Sequence, residues 1–193
     1  IPSEVGVGQE PIKTESVETT SGEKTATGGI LQTQKEIKPV RVAGTEVVEH
    51  GEDVSTKESL ENGIKPTGLT EAGREYAKTL GDHIKKLGKK LIVTSNVNRA
   101  KQTGSIASEQ SGVPTQADAD FNTWDIGEFD GKPIGEFDEK YYISHPNEKV
   151  PGGESFNSFK VRVKNAYDKT KAMSKDVQVV AHSKVMDAFK ALD

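Results

Sequence analysis

Glu46-Val47-Val48-Glu49-His50-Gly51-Glu52-Asp53 reads as a short apolar strand running out into a histidine and a glycine. Two later stretches repeat that pattern. Leu91-Ile92-Val93-Thr94-Ser95 leads into Arg99, and Val177-Gln178-Val179-Val180-Ala181 leads into His182. In an open α/β sheet, ligands bind in the crevice beyond the carboxyl ends of the strands. Three strand ends that deliver His, Arg and His therefore predict one pocket built for an anion. Arg offers a forked donor to phosphate-like oxygens, and a neutral imidazole serves as nucleophile or proton carrier near pH 7. One histidine at a strand end is ordinarily structural, and one helical arginine is ordinarily solvated. Their recurrence at matching strand ends is what points to a site.

The segments between these strands read as helices and loops. Residues 52–67 are polar, with Gly63 and Pro66, and are expected to form a loop beside the pocket. Thr70 is a predicted N-cap. Tyr76, Ala77, Leu80, Ile84 and Leu87 follow at helical spacing, and Gly88 stops the run. A helix carrying Arg99, Ala100, Thr103, Ile106 and Ala107 ends at Gly112, with Pro114 beyond. Residues 115–150 carry Phe121, Trp124, Phe129, Phe137, Tyr141 and Tyr142, and are read as a strand, a turn and a short helix covering the site. Ser155 caps a long helix with the stripe Phe156, Phe159, Val163, Ala166 and Tyr167. After strand 177–181 a last helix bears Val185, Met186, Phe189 and Leu192. The alternation predicts an α/β fold whose mainly parallel sheet has helices on both faces.

The 193 residues suit one domain plus an appendage. Residues 1–40 are rich in Thr, Ser, Glu, Lys and Gly, with isolated apolar positions, so they are expected to be an extended or disordered arm or linker. Such an arm is expected to order against a protein partner, with residues 41–193 forming the domain. A net charge of -4 gives no reason to expect nucleic acid or an anionic membrane as partner. The chain has no cysteine, which excludes disulfides and thiolate metal sites. No apolar run approaches the ~20 residues that span a bilayer. No signal-peptide pattern is visible, localisation stays open, and the start at Ile1-Pro2 suggests an excerpt of a longer chain. The four histidines show no pair at metal-ligand spacing, so no metal is expected. His83, among Lys85, Lys86 and Lys89, is expected to be solvated, and His145, before Pro146, to lie at the surface or the pocket rim.

Six pieces in order give the chain a family likeness. They are His50-Gly51-Glu52, then Gly68-Leu69-Thr70-Glu71-Ala72-Gly73-Arg74, then Ser95 with Asn98-Arg99-Ala100-Lys101-Gln102-Thr103. Next come Asp125-Ile126-Gly127-Glu128-Phe129-Asp130-Gly131-Lys132, Pro151-Gly152-Gly153-Glu154-Ser155 and Val179-Val180-Ala181-His182. Over about residues 46–193 the chain resembles the histidine phosphatase superfamily, with its phosphoglycerate-mutase-like fold. The resemblance implies that His50 attacks phosphorus and is transiently phosphorylated, and that Arg99 and His182 hold the phosphoryl group. Gly51 is expected to let the backbone approach that group, and Lys184 to add a cation. Glu128, or Asp125, stands in as acid. No cofactor is implied, and the substrate would be a small phosphorylated molecule. Relatives carry a further strand after the last helix, so the sheet is expected to lack an edge strand or to borrow one.

Three positions depart from the family. Glu49 replaces the arginine that normally precedes the first histidine, Thr123 replaces the usual acid, and Ser183-Lys184 replaces Gly-Gly after the second histidine. A unit charge ~6 Å from another is worth ~3 kcal/mol at an effective dielectric of ~20. Phosphoryl transfer relies on positioning and cationic stabilisation, so these changes predict weakened catalysis. The expectation is a degraded phosphatase-like domain, a pseudoenzyme with a structural or interaction role in a larger assembly. The alternative is an active phosphomonoester hydrolase working through phospho-His50.

Overall fold

The computed structural model describes residues 36–193. The stretch that decides the fold forms strand β2 (Thr45–Glu49), with Val47 and Val48 fully buried. Their successive side chains point to opposite faces, as strand geometry requires. Val47 joins the larger apolar cluster and Val48 the smaller one, so both faces of the sheet are covered. Such double burial explains why the central strands read as continuous apolar runs. Each buried valine contributes on the order of 1.5–3 kcal/mol.

The chain continues through a short helix α1 (Val54–Lys57), helix α2 (Glu71–Lys86), strand β3 (Leu91–Thr94), helix α3 (Asn98–Ser111) and strand β4 (Thr115–Ala117). Two 3₁₀ turns (Ala119–Phe121 and Gly127–Phe129) precede helix α4 (Glu139–Ser144), helix α5 (Phe156–Ala172), strand β5 (Val177–Ala181) and helix α6 (Ser183–Leu192). Leu80 and Ile84 of α2 pack with Ala100 and Ala107 of α3 on one face. Phe159 and Val163 of α5 pack with Val185 and Phe189 of α6 on the other.

The predicted caps are present. The Thr70 hydroxyl accepts from the Gly73 N–H at 3.1 Å, and Ser155 accepts from the Ser158 N–H at 3.2 Å. Helix α3 stops where Gly112 takes φ +76°, a left-handed conformation that costs glycine little.

Strand β1 (Val40–Val42), which sequence patterning does not reveal, pairs antiparallel with β2 through a tight turn at Ala43 and Gly44. The sheet order is β1-β2-β5-β3-β4, and every pairing except β1 with β2 is parallel. β1 therefore occupies the outer edge of β2, supplied from the N-terminal side. The register aligns Glu49 with Ala181 and Thr94 with Val180. The residues leaving three adjacent strands, His50, His182 and Ser95, consequently emerge at one rim.

The aromatic segment folds over that rim around Trp124. Its ring stacks on Phe159 at 5.7 Å, meets Phe137 edge-on at 5.3 Å, and its N–H donates to the Glu154 carbonyl at 3.1 Å. Arg162 of α5 pins the cover from beneath, donating to the carbonyls of Asn122 and Thr123 and pairing with the Glu154 carboxylate.

His83 is half-buried and paired, where its lysine neighbours suggested a solvated ring. Its Nε2 lies 3.1 Å from the carboxylate of Glu46, which is buried and also accepts from Arg41 at 2.6 Å. A buried carboxylate needs partners, and α2 brings His83 over β2 to provide one. No helix among the described residues is long and apolar enough to cross a membrane. The expected arm lies outside the described residues, save for its last few positions, of which Val40 enters β1.

Candidate active site

His50, Arg99 and His182 converge at the rim and are 6%, 2% and 2% exposed. β2 delivers His50, whose backbone N–H still donates to the Ala181 carbonyl at 3.1 Å and so remains tied to β5. β5 delivers His182 at the start of α6, and the first turn of α3 delivers Arg99. The two imidazole centroids are 5.1 Å apart.

Each ring has a set orientation. Nδ1 of His50 donates to the Gly51 carbonyl at 2.7 Å, which leaves Nε2 with its lone pair. That lone pair accepts from Nε–H of Arg99 at 3.0 Å. The guanidinium also donates to the Gly63 carbonyl at 2.8 Å and faces Nδ1 of His182 at 3.4 Å. Nε2 of His182 lies 2.7 Å from the Ser95 hydroxyl. Arg99 thus bridges both histidines and holds the loop of residues 52–67 against the rim.

Burial drives the His50 pKa down to about 4, aided by the Arg99 charge and opposed by the Gly51 hydrogen bond and the Glu49 and Asp53 carboxylates. Burial also pushes His182 well below its ordinary value, with His50 and Arg99 adding to the effect. For Arg99, burial works against the charged form, while Asp53, Asp130 and Glu49 oppose it. Both imidazoles are therefore neutral near pH 7, which is the form a nucleophile needs.

Asp53, for which sequence reading proposed no role, organises the loop. It is fully buried and accepts from the hydroxyls of Thr56 at 2.6 Å and Thr67 at 2.5 Å, and from the Asn62 amide at 2.9 Å. Burial works to raise its pKa, but hydrogen bonds from Thr56, Thr67 and Asn62 outweigh that and hold it below the ordinary value. Its place before Val54 is an N-cap signal visible in the sequence, and its side chain does accept from the Thr56 N–H.

A cavity of about 420 Å³ opens over the three central residues. Glu49, Leu60, Glu61 and Asn62 contribute from the β2 end and its loop, and Thr123, Ile126, Ile134, Phe137 and Glu139 from the cover. Lys184 lines it from α6, in an ion pair with Glu139 at 2.6 Å. Lys184 therefore lines the cavity with a carboxylate already beside it.

Two expectations do not match this geometry. Glu128 is exposed on the second 3₁₀ turn and does not line the cavity, while Asp125 is turned back to accept from the Gly127 N–H at 3.1 Å. Close packing is a reason for glycine at position 51. A Cβ there would sit 2.5 Å from the Gly73 carbonyl oxygen, and its N–H is spent on the Thr103 hydroxyl at 3.0 Å. The small residue lets the β2 end press against the start of α2.

A sequence profile of the histidine phosphatase superfamily (branch 1) matches residues 47–192. The "Uncharacterized phosphatase PhoE" of Bacillus subtilis (strain 168) is 28% identical over 145 residues, 74% of this chain and 73% of that protein. The "Probable phosphoglycerate mutase GpmB" of Klebsiella pneumoniae subsp. pneumoniae is 28% identical over 124 residues, 61% of this chain. The chain spans 58% of that mutase-named relative's length. Among solved structures, the alpha-ribazole phosphatase from Shigella flexneri superposes with a TM-score of 0.64 at 22% identity, covering 76% of this chain and 77% of that one. A mycobacterial glucosyl-3-phosphoglycerate phosphatase complexed with VO3 gives 0.61 at 23% identity, covering 76% and 79%. At these identities the two structures speak for the fold.

Proposed function

The chain belongs to the histidine phosphatase superfamily, branch 1, and on that premise we propose that it hydrolyses a phosphomonoester through transient phosphorylation of His50. One observation carries this reading. The His50 ring is held with Nδ1–H on the Gly51 carbonyl and with Nε2 as a neutral acceptor from Arg99. Burial keeps that nitrogen unprotonated down to about pH 4.

In the proposed reaction the Nε2 lone pair attacks phosphorus, forming the N–P bond as the bond to the ester oxygen breaks. Water then attacks the phosphohistidine, the N–P bond breaks, and inorganic phosphate leaves. Arg99 exchanges neutral acceptors on the two histidines for anionic phosphoryl oxygens, whose geometry its planar fork matches. His182 lies across from His50 and serves the same oxygens. Lys184 adds a cation at the rim when Glu139 releases it.

Thr123 lies in the cavity wall at the position where the family resemblance implies an acid, and a threonine hydroxyl cannot protonate a leaving alkoxide at useful pH. The expected substrates are therefore esters of acidic alcohols, which leave without a built-in proton donor.

Glu49 favours a second reading, a domain retained for its surface in an assembly. Glu49 lines the cavity beside His50, and its negative charge acts on that ring. The preset imidazole weighs for the first. Hydrolysis of an aryl phosphate by the wild-type chain and by His50→Ala separates them: loss of turnover in the variant supports the phosphatase, and equal background rates end it.

A further inference from the structure

We propose that the alcohol part of the substrate carries no second anion and is preferred when it carries an ammonium group. This rests on the phosphatase reading above. His50, Arg99 and His182 form the buried floor and take the phosphoryl group, so the alcohol must fill the remaining wall.

That wall is acidic and partly apolar. Glu61 and Glu139 reach it from the loop and the cover, beside Leu60, Ile134 and Phe137. Apart from Arg99, Lys184 is the lysine or arginine in the lining among the described residues, and Glu139 holds it at 2.6 Å. Glu61 uses one oxygen to accept from the Gly135 N–H at 2.7 Å, which fixes its carboxylate in the wall without neutralising it. A carboxylate or second phosphate on the alcohol would meet the fixed Glu61 carboxylate. An ammonium meets a fixed carboxylate, with an aliphatic and aromatic surface beside it. One unit charge at such range changes binding by about tenfold in a partly screened site.

The test uses three phenyl phosphates that differ only at the para position, carrying aminomethyl, hydroxymethyl or carboxymethyl groups. Their leaving oxygens are similar, so kcat/KM reports the charge at the rim. The expected order is ammonium, then neutral, then carboxylate, with about tenfold or more between the extremes at low salt. Glu61→Gln keeps an acceptor for the Gly135 N–H and should shrink that span by about tenfold. Glu139→Gln should free Lys184 and raise the rate on the carboxylate ester. His50-dependent hydrolysis with the carboxylate ester equal or fastest overturns the charge preference and leaves the phosphatase reading standing. A span that Glu61→Gln and Glu139→Gln both leave unchanged also overturns it. No His50-dependent turnover of any ester ends both readings.

Discussion

Nε of Arg99 donates to Nε2 of His50 across 3.0 Å, so the site's central cation is hydrogen-bonded to its candidate nucleophile. The contact is possible only while that imidazole nitrogen is unprotonated. It also seats the guanidinium between the two histidines, where a phosphoryl group would have to bind. The resting site is thus filled by its own arginine, and a substrate competes with neutral acceptors for it.

Stability should fall on acidification through the histidine range. His50 is lowered from 6.5 to about 4 in the folded chain, so between those values the unfolded chain binds more protons. The stabilising contribution is complete above the unfolded pKa and is lost as pH falls toward the folded one. His182 adds a slope of the same sign. Each histidine contributes at most about 1.4 kcal/mol per pH unit. Urea unfolding between about pH 7 and pH 5 should show this slope, and His50→Gln should reduce it. An identical slope in the variant would contradict the assignment.

Glu49→Gln should tighten anion binding. The Glu49 carboxylate acts on both His50 and Arg99, and the side chain lines the cavity. Removing one negative charge at this range should lower the inhibition constant for orthovanadate or phosphate about tenfold or more. An unchanged constant would mean that the carboxylate does not face the bound anion.

Thr123→Glu should restore a proton donor to the cavity wall. Thr123 is 3% exposed and lies in the lining, in a segment whose carbonyl is held by Arg162 at 3.1 Å. General acid catalysis contributes on the order of 10²–10⁴-fold where the leaving group is poor. The variant should therefore gain kcat on alkyl phosphates and little on 4-nitrophenyl phosphate. Equal gains on both would argue against an acid role for this position.

Gly51→Ala should destabilise the chain and displace His50 together. The added Cβ would meet the Gly73 carbonyl at 2.5 Å, and backbone cannot yield as a flexible side chain can. Overpacking of this kind costs about 1–3 kcal/mol. Urea unfolding measures the first effect and kcat/KM the second. A variant with wild-type values for both would remove the close packing as the reason for glycine here.

The strands, the main helices and their caps are legible along the sequence because burial imposes a period on it. Val47 and Val48 read as a doubly covered strand, and Thr70, Gly112 and Ser155 mark helix ends through local hydrogen-bonding and φ requirements. β1 escaped because three residues give no period, and what makes them a strand is the partner edge of β2. The pairing of His83 is invisible along the chain for a related reason: its partner, Glu46, is 37 residues away.

By itself the sequence determined the α/β class, the family, and the gathering of His50, Arg99 and His182 at one rim, since parallel register carries strand ends to the same edge. Only the tertiary structure decided what surrounds them. It set Arg99 on His50, gave Gly51 to Gly73, turned Glu128 away, and brought Glu139 to Lys184 across 45 residues. Local periodicity encodes which face of an element is buried. The path by which loops and cover fold back over the sheet depends on contacts between distant residues, and no spacing along the chain records those.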